Sequence, residues 1–188
     1  MTTHYTYRDT VKAAQKVNWK VDDLMGRDSG LDFTKPFLPE ILARTAAMTF
    51  LSPDEQRTAN HIRGHGYLYM FGLVEEFILP FVMDHARPQL ADDDYRTRAF
   101  LQFAAEEAKH IHLFKRFRDA FTRDFGTTCE VIGPPADIAQ AVLAKGAVAV
   151  AMLILHIEWM TQRHFVDSVR DDTTLDCPSS YKLGQSPG

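Results

Sequence analysis

The segment Glu107-Ala108-Lys109-His110 carries the residue pair in this chain best suited to chemistry. Helical residues three apart share a face, so the pair aims one carboxylate and one imidazole the same way. That face is otherwise apolar, with Phe100, Phe103, Ala104, Ile111, Phe114 and Phe121 at helical spacing. Two further acids stand where apolar residues belong. Glu75 falls inside the arc of Leu68, Phe71, Gly72, Ile78, Leu79 and Val82. Glu76, the alternative inward acid, lies about 100° further round. Glu158 has Ala151, Ile154, Leu155, Thr161, Gln162 and Phe165 as its helical neighbours. Glu106 lies about 100° from Glu107 and is expected to be solvated.

Burying an unpaired carboxylate costs several kcal/mol, and three would rival the roughly 5–15 kcal/mol that holds a domain folded. Something must compensate. Lys109 or Arg163 would serve as ion-pair partners of Glu158, and a solvated or salt-bridged Glu75 is the bland reading of that position. A bound metal is the other solution, and carboxylate oxygens with imidazole nitrogen suit iron or manganese. Glu75, Glu107, His110 and Glu158 are therefore the candidate metal ligands. His61 and His65 stand four apart but lack the Glu and downstream ligand of a zinc protease, so they read as structural. His112 and His156 read as incidental. The stripe of Phe100, Phe103, Phe114, Phe117 and Phe121 is core packing first and substrate pocket second.

These residues need long helices to position them. Residues 1–37 form a mixed lead-in, with a short helix over Thr10–Trp19 and an irregular stretch over Asp28–Pro39. Pro39–Phe50 has helical spacing. Ser52-Pro53-Asp54-Glu55 is a capping box with Pro at the first helical position. It starts a helix reaching Ala86, kinked at Pro80. Asp92-Asp93-Asp94 opens the next helix, which Gly126 stops after Phe125. Gly133-Pro134-Pro135 is a turn, and a last helix runs from Ala136 to Asp172. Residues 173–188 are polar and read as a disordered tail. The spacing predicts an all-α helical bundle in one domain over residues 1–172.

The chain has 188 residues, 45% of them hydrophobic and 24% charged, which fits one globular domain. Its formal charge of −4 is spread without a basic patch, so nucleic acid is not an expected partner. The most apolar run, Gly146–Leu155, is too short to cross a bilayer, and no membrane partner is expected. The two cysteines, Cys129 and Cys177, form neither CxxC nor CxxCH, which argues against a thiolate zinc site and c-type haem. The N-terminus lacks the layout of a signal peptide, and a cytoplasmic location is the default expectation.

Glu75, then Glu107-x-x-His110, then Glu158, on successive helices, resembles the ferritin-like di-iron carboxylate proteins over residues 50–172. Within them the chain is most similar to the p-aminobenzoate N-oxygenase-like proteins. The resemblance implies a ferritin-like bundle and two iron ions. It implies an oxidoreductase that activates O2 against a small organic substrate, served by an electron donor. The chain departs from the family in having no second Glu-x-x-His: no Glu follows Glu158 and no His follows His164. The bundle is thus expected to be incomplete at the C-terminus, leaving a groove that a homodimer would partly fill. Two alternatives follow: an iron-binding and iron-oxidising protein without organic turnover, or a non-catalytic remnant of the fold.

Overall fold

The computed structural model describes residues 4–26, 28–91 and 93–175, and the expected tail beyond Leu175, with Cys177, lies outside them. The described residues form an all-α bundle, with no strand among them. Its axis is a pair of long helices, α4 (Pro53–Ala86) and α5 (Asp94–Phe125). Contacts between them run in opposite senses along the chain. His65 stacks on Phe121, Arg118 lies over Tyr69, and Glu75 faces His110. The pair is therefore antiparallel, joined by a short turn through Arg87–Gln89.

Local chemistry accounts for the boundaries. The Ser52 side chain accepts from the Glu55 amide at 3.4 Å, and Glu55 accepts from the Ser52 amide at 2.7 Å. Both bonds satisfy amides that the first turn of α4 leaves open. Pro80 stands inside α4, and the helix continues across it. Asp93 caps α5 by accepting from the amides of Tyr95 and Arg96. Gly126, at φ +80°, ends it in the left-handed conformation that glycine adopts without penalty.

Three predicted elements differ. The first short helix is α1 (Tyr7–Ala14), earlier than Thr10–Trp19, because Thr6 and Asp9 form a second capping box. Pro39–Phe50 yields only α3 (Glu40–Ala43). There Arg44 turns left-handed at φ 52°, and Glu40 bonds the Thr45 hydroxyl and the Ala46 amide. The last helix is two, α6 (Pro135–Leu143) and α7 (Ala147–His164), with a bend of 120° between them. Gly146, at φ 91° and ψ 156°, occupies a region essentially closed to other residues, and this breaks the helix. A π-helical turn, Phe165–Val169, follows α7.

The lead-in contributes to the core rather than lying outside it. Asn60 on α4 accepts from the amides of Phe37 and Leu38 and donates to the Leu38 carbonyl, so three bonds fix this strap. One apolar cluster joins Met25, Leu31, Phe37, Leu68, Phe117 and Phe121. A second joins Phe77, Ile78, Val82, Ala104, Val150 and Ile154. In sequence, Glu75 on α4 and Glu107 with His110 on α5 fall between the residues of these clusters. By length and hydropathy α4 passes as a membrane span. Here it packs along α5 and buries Asn60, His61, His65 and Glu75.

Candidate metal centre

The antiparallel register of α4 and α5 brings Glu75 opposite the Glu107–His110 pair. One ligand atom from each of the three lies within 4.8 Å of the other two. Glu75 and Glu107 are both buried, at 5% and 3% exposure, whereas Glu76 on the next position is exposed. The choice between the two α4 acids thus falls to Glu75. The His110 Nδ1 lies 3.0 Å from Glu107 Oε2 and 3.7 Å from Glu75 Oε1. The second oxygen of Glu75, Oε2, is buried and has no hydrogen-bond partner. A buried polar atom without a partner costs ~1–3 kcal/mol.

The electrostatics follow from this crowding. Burial, reinforced by the neighbouring Glu107, pushes the Glu75 carboxyl up to about 8, although His110 opposes the rise. Burial also acts against the His110 imidazolium, but bonds and charge from Glu107 and Glu75 outweigh it and raise its pKa to about 10. Burial would raise Glu107 too, yet His110 and Glu75 hold it below the usual carboxylate range. Near neutral pH the cluster therefore holds a neutral Glu75, an anionic Glu107 and a cationic His110 that donates from Nδ1 to Glu107.

Glu158 on α7 lines the same cleft as Glu75 and His110. It is half-buried, and burial, with the charge of Glu107, raises its pKa. Neither cation considered for it is engaged there. Lys109 bonds Glu106 at 2.7 Å and Arg163 bonds Asp167 at 3.0 Å. Glu158 stands outside the compact group of three, and the cleft it lines reaches Glu75 and His110 of that group. The cleft encloses about 50 Å³, walled by Phe71, Phe114 and Phe165.

Comparison with protein-family models, with curated proteins and with solved structures finds no match.

Two features of the site had no local signal in the sequence. Trp19, from the lead-in, stacks on His110 with centroids 5.6 Å apart and planes at 15°. Its indole N–H donates to Glu106 Oε2 at 2.9 Å. Glu106 is thus not a solvated acid, as its angle on the helix suggested, but the anchor that holds Trp19 over a site histidine. Tyr67 and His164 also meet, with Oη 3.0 Å from Nδ1. His61 and His65 lie away from the centre. His61 bonds the Lys35 carbonyl, His65 stacks on Phe121, and burial lowers both pKa values. The aromatic stripe on α5 is mostly packing, but Phe103 is exposed.

The donor set fits a divalent metal. Two carboxylates and an imidazole converge from two rigid helices, and the orphaned Glu75 oxygen lacks the partner that a cation would supply.

Proposed function

We propose that this protein binds iron at Glu75, Glu107 and His110, with Glu158 as a further carboxylate, and acts as an O2-dependent oxidoreductase on a small organic molecule. Manganese is the other metal that these donors suit. This reading places the chain among the ferritin-like di-iron carboxylate proteins, most similar to the p-aminobenzoate N-oxygenase-like group. The observation that carries it is the buried, unpartnered Glu75 oxygen beside the Glu107–His110 pair. Iron, when bound, supplies the redox chemistry for activating O2.

The chain's own residues prepare the centre. Glu107, an anion at neutral pH, holds the proton on His110 Nδ1 until that proton leaves on loading. Trp19 fixes the plane of the His110 ring. Phe71, Phe114 and Phe165 give the cleft an apolar wall. A homodimer and an electron donor are the partners this reading calls for, and a cytoplasmic location is consistent with it.

One observation favours a second reading, iron binding and oxidation without organic turnover. A cleft of about 50 Å³ takes an ion with a water or O2, well short of the ~300 Å³ at which ligand pockets begin. Among the described residues there is also no second Glu-x-x-His for a second ion. The test is anaerobic Fe(II) loading followed by O2. Iron bound in the wild type, lost in Glu107→Ala and accompanied by O2 uptake supports an oxidoreductase. Acceleration of that uptake by small aromatic compounds separates the first reading from the second. Absence of iron binding would overturn both.

A further inference from the structure

The first half of α7, Ala147–Leu155, is apolar on all sides, a pattern that belongs to helices covered all round. Its inner face, with Val150, Ile154, Ile157 and Thr161, packs toward the bundle and the cleft. The opposite face carries Val148, Met152, Leu155, Trp159 and, in the π-helical turn, Val166. The first four recur at intervals of four, three and four, a straight stripe about 17 Å long, and Val166 lies on the same side beyond the polar turn of Gln162 and Arg163. All five are exposed, Val148 by 79% and Trp159 by 74%. A solitary exposed leucine needs no explanation, but a continuous stripe with a tryptophan in it does.

We propose that this stripe is the interface between two copies of the chain, packed about a two-fold axis. Two observations favour a second copy. Its five residues expose roughly 600 Å², at the lower end of the ~600–1,000 Å² per partner of a standard-size interface. From Val148 to Trp159 the stripe bears no charge, so apposing that part with itself creates no like-charge contact, as a self-complementary interface requires. Its flanking charges, Arg163 and Asp167, already pair with each other within one chain.

None of the stripe residues is a candidate ligand, so failure of the interface and failure of the metal reading are distinguishable. It also gives α7 a second role, because the helix that presents Glu158 to the cleft would be held from outside by its partner copy.

Sedimentation velocity on the full chain, with chelator present, tests it. The expected result is a species of twice 21.4 kDa. Trp159→Glu and Val148→Glu should each weaken it by roughly tenfold or more, as at an interface hot spot. Val148→Glu also puts an acid in the first turn of α7, where it favours the helix, so circular dichroism should show helix retained. Phe50→Glu, at an exposed apolar residue far along the chain from the stripe, should leave the dimer intact. A monomer at every concentration, or a dimer indifferent to both stripe variants, would overturn the proposal. So would a monomer whose Trp159 emission shifts on mixed phosphatidylcholine–phosphatidylglycerol vesicles, which would assign the stripe to a lipid surface.

Discussion

Replacing Glu75 with leucine should make the metal-free protein more stable while abolishing its response to metal. At pH 7 the Glu75 carboxyl is protonated, because burial lifts its pKa to about 8. Its Oε2 is buried without a partner, an arrangement that costs ~1–3 kcal/mol. Leucine has nearly the same volume and removes that cost. The losses are the carboxyl's hydrogen bond to Glu107 and the 3.7 Å approach of Oε1 to His110, which keeps its closer bond to Glu107. The net gain is about 1 kcal/mol, or a rise in Tm of ~2–4 °C for a chain of this length. Metal should reverse the order. At 100-fold over Kd, a ligand that binds only the folded state adds ~2.7 kcal/mol to the wild type, and the variant should gain little. Thermal melts with chelator, then with Fe(II) or Mn(II) under argon, give all four values. A variant less stable than wild type without metal, or stabilised by metal as strongly, would refute the reasoning. In that case Glu75 would be a structural partner of His110.

Metal affinity should climb with pH, since both Glu75 and His110 must shed protons on loading, with pKa values of about 8 and 10. A plot of log Ka against pH should rise with slope about 2 below pH 8 and about 1 from there to pH 10; a flat plot from calorimetry would exclude these two as ligands. The metal-free fold should behave oppositely. Both pKa values are raised by folding, so their contribution is full in acid and is lost as pH rises through 8 and then 10, which urea titrations at pH 7 and 9 will show. Gly64→Ala should cost ~1–3 kcal/mol, because its added Cβ would lie 2.8 Å from the Phe37 Cβ. Gly66→Ala, with nothing within 4 Å, should gain ~0.5–1 kcal/mol of helix propensity. Asn60→Ala should lose at least ~2 kcal/mol, because it frees two amides and a carbonyl of the strap at Phe37 and Leu38.

What could be read in the sequence was what local periodicity controls. The limits of α4 and α5 were visible because a capping box, an N1 proline and a C-terminal glycine are local devices. Glu75 was separable from Glu76 because one helical step moves a side chain by 100°, and the apolar arc around Glu75 was unbroken. The same rule failed at Glu106, whose angle assigned it to solvent. A residue 87 positions away, Trp19, covers that flank and donates to it, and no spacing rule encodes a contact of that separation. The break at Gly146 had a visible glycine but no visible dihedral. An isolated glycine in an apolar run reads as a tolerated helix residue until its backbone adopts φ 91°.

The division of labour among the helices explains why the candidate centre is compact on one side and loose on the other. Glu75, Glu107 and His110 sit on two long helices that pack along their length, so their positions are over-determined by the apolar clusters that flank them. Glu158 sits on α7, which joins α6 through a sharp bend and leaves one whole apolar face outside the bundle. A ligand borne by such a helix is only as well placed as the helix itself. If a second copy covers α7, then dissociation should loosen Glu158 first and leave the three-residue cluster intact. Variants that break the dimer should therefore still bind a first metal ion through Glu75, Glu107 and His110, but more weakly, and lose the part of the affinity that Glu158→Gln removes. Equal metal affinity in the dimer and in Trp159→Glu would show that α7 is positioned by its own seam with the bundle alone.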